Sequence, residues 1–400
     1  MKDNKPIKSF VLYLLIAVLV SCSGNEFTED SFISHEMPNS VQDSIRSVSE
    51  ALNLVMNYSS DHNTRGSSPR LIASVDVLKR SDLKFGKVKM QSIETTDVLR
   101  DDTLLYSIAT GNKCYIISRN KEAEPVLAIF DKDNFTFREF LEENPECNPL
   151  SSFLEMAIVY NDNPSFFSAD SSITAKAITS NRFVIEAVEP KVKVAWCQRH
   201  PFNMYCPSNS LAGCVSIAAA QGFMVTQHVG VFNNLVLDYP KMEQFIDSTY
   251  YASDASTGRL IAKFIHQIGV AIGAKYDNKK GSADIKNGAK LFYDFGCKYS
   301  KDKKKIRDIL KDKDRSFIMI GSFNKTNGLF GNARGSGHVY LADGYNIYND
   351  GTQLIHVNMG AGPSYNGYFL EKLVAPHFTD SAPEEVVYPH HWTFYCIYKD

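Results

Sequence analysis

One short stretch in the second half of the chain indicates how that half folds: Ala212-Gly213-Cys214-Val215-Ser216-Ile217-Ala218-Ala219-Ala220-Gln221. Gly213 and the polar residues before it are typical of a loop, whereas the small and apolar residues after it favour a buried helix. Cys214 is therefore predicted at a helix N-terminus, where unpaired backbone N–H groups and the helix dipole stabilise a thiolate. Most cysteines are buried structural residues, so a nucleophilic role for Cys214 depends on what surrounds it.

A thiolate nucleophile needs an imidazole to share its proton, and His338 is the best placed of the ten histidines. It follows a glycine-rich loop and precedes the strand-like run 339–342. A second such run, 354–357, ends at Asn358. His338 follows Cys214 by 124 residues and Asn358 follows it by 144, and this order and scale match the papain-like pattern.

Several blocks of sequence surround these residues in a fixed order. They are Trp196-Cys197-Gln198, Pro201-Phe202-Asn203, Cys206-Pro207, Ala212-Gly213-Cys214-Val215, Gly337-His338, Asp343-Gly344-Tyr345, His356-Val357-Asn358 with Gly360, and Asn366-Gly367-Tyr368-Phe369. Together the blocks resemble the streptopain family of cysteine peptidases, which are papain-like enzymes made as zymogens. The resemblance runs from about residue 195 to 369, and the preceding half shows fainter similarity to the family's propeptide.

The resemblance implies an α+β fold, in which a papain-like cysteine peptidase domain packs a central nucleophile helix on an antiparallel sheet. A small α+β propeptide domain precedes it and acts as an intramolecular inhibitor, and the substrates are proteins or peptides. Cys214 is implied as the nucleophile, His338 as the general base and acid, and Gln198 as an oxyanion-hole donor. Asn358 matches the residue that holds the imidazole ring, and Asp343 is a second candidate for that task.

The run after the asparagine departs from the family pattern. The family usually has Asn-Trp-Gly-Trp-Gly, whereas here the run reads Asn358-Met359-Gly360-Ala361-Gly362-Pro363. Loss of both tryptophans predicts a looser or differently shaped site, in which the flexible Met359 covers the same spot less firmly. Two alternatives to a peptidase therefore stay open: an inactive surface lipoprotein that keeps the fold for binding proteins or peptides, and transfer of the acyl group to an amine.

The first 22 residues are typical of a bacterial lipoprotein signal peptide. Three lysines precede the apolar run 10–20, which would span about 16 Å as a helix and is too short for a bilayer core of about 30 Å. The run ends at Leu19-Val20-Ser21-Cys22, which resembles a lipobox. Cys22 is the predicted lipid attachment site, and the predicted location is the outer membrane or cell surface, with release of the mature peptidase. A chance cysteine after an ordinary signal sequence is the alternative.

Residues 23–190 are predicted to form the propeptide domain and linker, and residues 191–400 the peptidase domain. Five apolar residues at helical spacing predict an early helix with a capping box at Ser40 and Asp43; they are Val41, Ile45, Val48, Leu52 and Val55. Strands are predicted at 104–109, 114–118 and 126–130, and a short helix at 135–141. The Ser/Ala/Asn-rich stretch 161–187 is the predicted linker, and the maturation cut is predicted between 175 and 193.

The composition excludes several other classes of protein. With 43 basic and 45 acidic side chains, the 400-residue chain lacks the positive charge expected of a nucleic-acid-binding protein. Eight cysteines are too few for a disulfide scaffold. The adjacent pair His390-His391 lacks the neighbouring ligands of a metal site, so neither a metal nor a cofactor is predicted.

Overall fold

The computed structural model describes residues 44–61, 72–83, 102–111, 113–132, 134–142, 148–164, 182–375 and 390–400. The described residues up to 164 form the N-terminal part, and those from 182 onward form the C-terminal part. Three predicted features lie outside these ranges: the signal peptide with Cys22, the helix cap at Ser40 and Asp43, and residues 165–181 of the linker. Within them, no helix is both long enough and apolar enough to cross a membrane.

One antiparallel sheet contains most of the strands. The N-terminal part supplies β1 (Ile72–Lys79), β2 (Thr103–Thr110), β3 (Lys113–Ser118) and β4 (Val126–Asp131). The C-terminal part supplies β5 (Val184–Val188), β10 (Lys298–Ser300), β11 (Ser316–Asn324), β12 (Gly337–Tyr348), β13 (Gln353–Asn358), β14 (Gly367–Leu370) and β15 (His390–Tyr398). Neighbours follow the order β1-β2-β3-β4-β14-β13-β12-β11-β15-β10, and β5 pairs with the C-terminal end of β12. Two short hairpins stand apart: β6 (Val231–Phe232) with β7 (Leu235–Val236), and β8 (Lys275–Asp277) with β9 (Lys280–Ser282).

The sheet passes from the N-terminal part into the C-terminal part between β4 and β14. Phe130 pairs with Gly367 and Ile129 with Tyr368 in an antiparallel ladder. The strands predicted at 104–109, 114–118 and 126–130 are confirmed as β2, β3 and β4, because short apolar runs separated by turn residues favour strands. Nothing in the sequence indicated that their sheet would be shared with the peptidase half.

The helices of the N-terminal part are α1 (Val48–Asp61), α2 (Phe137–Glu142) and α3 (Ser151–Asp162). Those of the C-terminal part are α4 (Cys214–Thr226), α5 (Tyr239–Gln244), α6 (Ala255–Ala271), α7 (Ile285–Asp294), α8 (Lys303–Asp312) and α9 (Glu371–Val374). The helix predicted at 135–141 is confirmed as α2, which starts two residues later.

Helix α1 begins later than its apolar spacing predicted. Ser47 is its cap: the Ser47 hydroxyl accepts from the Glu50 N–H at 3.2 Å, and the Glu50 carboxylate accepts from the Ser47 N–H at 2.7 Å. Ile45 precedes this capping box and forms a β-bridge with Asn120, so including it in the helix was wrong. Val55, at the predicted spacing, is fully buried.

The central strands separate two cores. On β11, Ile318 and Ile320 face a core shared with the N-terminal part, whereas Phe317 and Met319 face the core around α4. This alternation follows from the two-residue period of a strand. Helix α3, which is buried almost throughout, packs on β2, β11 and α9 in the first core. Helix α4 packs on β11, β12, α6 and α7 in the second, so the predicted central helix on an antiparallel sheet is confirmed.

Candidate active site

Cys214 is the first residue of α4, as predicted, and glycine is required just before it. Gly213 has φ +92°, and a Cβ at this position would lie 2.9 Å from the carbonyl oxygen of Gly281 in β9. The Leu211 N–H also donates to the carbonyl of Lys279 at 2.9 Å. The β8–β9 hairpin therefore packs its backbone directly against the loop that turns into α4, and only glycine fits that contact.

His338 lies at the start of β12, opposite Ser322 on β11, and it is hydrogen-bonded to Cys214. The other side of the ring is fixed by the main chain: His338 Nε2 lies 2.7 Å from the carbonyl oxygen of Met359. A carbonyl can only accept, so Nε2 carries a proton. Nδ1 is therefore the nitrogen that exchanges a proton with the thiol.

The two side chains shift each other's pKa in opposite directions. Burial acts to raise the pKa of Cys214, but the hydrogen bond and the charge of His338, with the N–H groups of Val339 and Val215, bring it below its usual value. Burial likewise acts to lower the pKa of His338, and the bonds to Cys214 and the Met359 carbonyl outweigh it and raise that pKa. Both residues are partly exposed, so the thiol and imidazole, whose pKa values are shifted toward their charged forms, face solvent at the start of α4.

Asn358 does not hold the imidazole, in contrast to the prediction. Its side-chain amide donates to the Val194 carbonyl at 2.9 Å, and its Oδ1 accepts from the Gly360 N–H at 3.0 Å. The side chain is buried at the end of β13, and the carbonyl of the next residue, Met359, takes the place at the ring. Asn358 thus contributes to the site by shaping the main chain rather than by contact with His338.

Asp343, the second candidate for holding the ring, pairs with a different histidine. Its Oδ1 lies 2.6 Å from His356 Nδ1, and its Oδ2 accepts from the N–H groups of Lys191 and Val192 at 2.8 and 2.6 Å. The carboxylate is fully buried. Asp343 therefore anchors the first residues of the predicted peptidase domain to β12.

Gln198 lies beside the loop that leads to the nucleophile. Its carbonyl accepts from the Ala212 N–H at 3.0 Å, and its side chain is half-buried. The preceding residue, Cys197, forms an antiparallel bridge with Ala361. These two contacts place Gln198 between the start of α4 and the segment that carries the Met359 carbonyl.

The glycine after Met359 makes the ring contact possible. Gly360 has φ +65°, and a Cβ there would lie 3.1 Å from Ile217 Cγ2 on α4. The Met359 side chain is buried in the core shared with the N-terminal part, so it does not cover the site as predicted. The sequence missed the Met359 carbonyl because every residue carries one; the glycine at 360 was the available signal.

A second Cys–His pair lies elsewhere in the C-terminal part. Cys297 Sγ is 3.4 Å from His228 Nε2. Burial raises the pKa of Cys297 to about 11, and burial, followed by the charge of Lys399, lowers the pKa of His228. At neutral pH this pair is uncharged, so it offers no nucleophile.

The described residues contain neither a disulfide nor a cluster of metal ligands. The cysteines there are all free, namely Cys114, Cys197, Cys206, Cys214, Cys297 and Cys396. In the same ranges, no group of three or more His, Cys, Asp or Glu side chains is arranged to hold a metal ion. Cys214 is thus a free thiol that no disulfide consumes.

Comparison with known proteins gives the following matches. Residues 196–369 match the model of the Peptidase C10 family. The structure resembles that of a fragment of prointerpain A from Prevotella intermedia with one cysteine-to-alanine mutation, at a TM-score of 0.51, 16% sequence identity, and coverage of 76% of this chain and 98% of that chain. At this identity the likeness is one of fold alone. No curated protein sequence matches the chain.

Proposed function

Because residues 196–369 belong to the Peptidase C10, or streptopain, family of cysteine peptidases, we propose that this protein hydrolyses peptide bonds in proteins with Cys214 as its nucleophile. The observation that supports the proposal most strongly is the Cys214–His338 pair. The pKa of the thiol is lowered while that of the imidazole is raised, as a thiolate nucleophile with a proton donor requires.

In the proposed reaction, the Cys214 sulfur attacks the carbonyl carbon of the scissile bond and forms a tetrahedral adduct. His338 gives its Nδ1 proton to the leaving amine, the C–N bond breaks, and an acyl-enzyme remains. Water then attacks the thioester while His338 takes a proton from it, and the carboxylic acid leaves as the thiolate forms again. The protonated Nε2 stays bonded to the Met359 carbonyl throughout, so the ring keeps its orientation.

The negative oxygen of the tetrahedral adduct needs donors that are in place beforehand. The Cys214 N–H at the start of α4 is one, and the Gln198 side-chain amide is the other in this proposal. The contact between Gln198 and Ala212 supports this role, because it fixes the glutamine backbone beside the nucleophile loop. By analogy with serine peptidases, loss of one donor costs roughly 100- to 1000-fold in rate.

We further propose that the N-terminal part is a propeptide that keeps the enzyme latent. Asp131 of β4 exchanges hydrogen bonds with Asn366 and Tyr365, just after the Met359 segment. Phe140 of α2 packs edge-on against Phe330, at 5.0 Å between ring centres, in the loop that leads to His338. The segment around Met359 and the loop before His338 therefore both contact the N-terminal part. Removal of the N-terminal part would take away these contacts from the two segments that position the histidine.

The maturation cut is best placed in the early part of its predicted window, 175–193. The Lys191 ammonium donates to the carbonyls of Leu310, in the last turn of α8, and Lys313, just after it, at 2.6 and 2.7 Å, and the Lys191 backbone N–H donates to the Asp343 carboxylate. Strand β5 is also hydrogen-bonded to β12. A cut beyond β5 would remove residues that the peptidase domain holds.

The test compares the chain lacking residues 1–22 with its Cys214→Ala variant, and with Cys297→Ala as the matched control. In thiol-containing buffer, the parent and Cys297→Ala are expected to remove their own N-terminal part and to degrade a chemically unfolded protein, whereas Cys214→Ala does neither. If the parent stays inactive even after limited trypsin treatment followed by trypsin inhibitor, the peptidase proposal is wrong. That result would favour the alternative of an inactive protein that keeps the fold for binding proteins or peptides. If added amines are joined to the substrate in preference to hydrolysis, acyl transfer is the activity.

Attachment to the outer membrane or cell surface through a lipid on Cys22 is a separate proposal, supported by the basic start, the apolar run and the lipobox-like Leu19-Val20-Ser21-Cys22. In a Gram-negative host, the full chain is expected to incorporate labelled palmitate and to fractionate with the outer membrane. Cys22→Ser should remove the label and release the protein. Labelling that persists in Cys22→Ser would contradict this assignment.

A further inference from the structure

The main chain around Met359 is held by two asparagine side chains. The Met359 N–H donates to Asn366 Oδ1 at 2.9 Å, and the Gly360 N–H donates to Asn358 Oδ1 at 3.0 Å. These two N–H groups belong to the peptide planes before and after the Met359 Cα. Together they fix both backbone angles of Met359, and with them the direction of its carbonyl toward His338.

Asn366 is well suited to fix one of these planes, because its own backbone is immobilised. It is buried at 8% exposure and directly precedes β14. Strand β14 pairs with β13, a contact that lies within the C-terminal part and is kept after the N-terminal part is removed; before that removal the Asn366 carbonyl also accepts from the Asp131 N–H at 2.8 Å. Asn358 reaches only two residues along the chain, whereas Asn366 ties the Met359 segment to the next strand of the sheet.

We propose that Asn366 is a positioning residue for His338, acting through the Met359 peptide planes. This inference rests on the proposed peptidase function for its effect on turnover. The Met359 carbonyl is one of the groups that favour the charged imidazole, so a displaced carbonyl would weaken the imidazolium. A weaker imidazolium in turn supports the Cys214 thiolate less. The range of pH over which the ion pair exists would narrow from both sides.

The experiment measures kcat, KM and the rate of Cys214 alkylation by iodoacetamide across pH. Asn366→Ala is expected to lower kcat about three- to tenfold, the effect of one hydrogen bond, with little change in KM. Its alkylation profile should shift toward higher pH. Asn366→Asp keeps an acceptor oxygen and is expected to restore the profile. Asn287→Ala, which removes an amide bond to the Ile272 carbonyl at 3.0 Å, controls for loss of a side-chain bond elsewhere.

An Asn366→Ala protein that is less heat-stable, yet keeps the parent's kcat and alkylation profile, would overturn the proposal, because it would show a merely structural role. Asn366→Leu removes the acceptor at similar volume and gives the same test if the alanine variant does not fold. Alkylation needs no substrate turnover. A parent without peptidase activity would therefore count against the proposed function, while the alkylation profiles would still decide the role of Asn366.

Discussion

Two Cys–His pairs among the described residues lie at opposite ends of one helix, and their pKa values are shifted in opposite directions. Cys214 begins α4 and bonds to His338, whereas His228 lies two residues after the end of α4 and 3.4 Å from Cys297. In the first pair the pKa of the thiol is lowered and that of the imidazole is raised. In the second, the thiol pKa is raised to about 11 and the imidazole pKa is lowered. Contact between a thiol and an imidazole is therefore not sufficient to make a nucleophile.

The surroundings of each pair explain the difference. Cys214 meets the positive end of a helix dipole and the Val215 N–H, and the Met359 carbonyl favours the charged form of its histidine. Cys297 follows the end of α7, where carbonyl groups present the negative end of the dipole. Burial there raises the thiol pKa, and the charge of Lys399 offsets only part of that rise. The His228 ring also has a main-chain partner, at Phe295, which acts to raise its pKa, so this feature is common to both pairs. The contrast comes from the helix ends and, at His228, from burial and the charge of Lys399.

The largest contrast is expected from removing each histidine. His338→Ala is expected to lower kcat about a thousandfold or more, by analogy with the loss of the histidine in serine peptidases. His228→Ala should leave turnover of a peptide substrate within about twofold, because its pair is uncharged and distant from the site. Equal losses in the two variants, measured on matured protein, would show that the second pair contributes to catalysis.

An intermediate effect is expected from moving the carbonyl behind the ring. Gly360→Ala places a Cβ 3.1 Å from Ile217 Cγ2 at φ +65°, so the Met359 carbonyl should shift. We expect a loss of about tenfold in kcat and a fall in Tm of about 2–4 °C. Gly351→Ala has the same kind of backbone strain, at φ +83° with open space around it, and should lose a similar amount of stability without losing activity. Similar activity losses in both variants would mean that the carbonyl has no special role.

The smallest effect is expected at the second pair. Lys399→Met removes a positive charge that disfavours the His228 imidazolium and favours the Cys297 thiolate. Both pKa values should therefore rise, each by less than about one unit because the charge acts near the surface. Titration of the His228 ring by NMR measures the first change. A fall in the His228 pKa would show that Lys399 acts in another way.

The sequence predicted the parts of the site that depend on local pattern. Gly213 and the apolar run after Cys214 correctly indicated a helix starting at the cysteine, and the glycine-rich loop placed His338 at the start of a strand. The capping box at Ser47 and Glu50, which begins α1, is equally visible in the sequence.

The remaining features depend on contacts between distant segments. The Asn358 side chain was predicted at the ring, yet the main chain of Met359 lies there, because side-chain motifs carry no information about which carbonyl faces inward. Cys297 and His228 are 69 residues apart, and nothing in either segment predicts their contact. The pairing of β4 with β14 is likewise not predictable, because each sequence run is typical of a strand but does not indicate which strand it pairs with.

The central claim, an ion pair at Cys214 and His338 beside a neutral one at Cys297 and His228, is tested most directly by alkylation of both cysteines in one sample. Iodoacetamide labelling across pH, quantified by mass spectrometry, follows each thiolate. Because its pKa is lowered, Cys214 should be labelled at lower pH than an ordinary thiol, whose pKa is about 8.5, and should lose reactivity as the pH falls through its own pKa. Cys297 should stay unlabelled until strongly alkaline pH. Equal labelling of the two cysteines at pH 7 would contradict the claim.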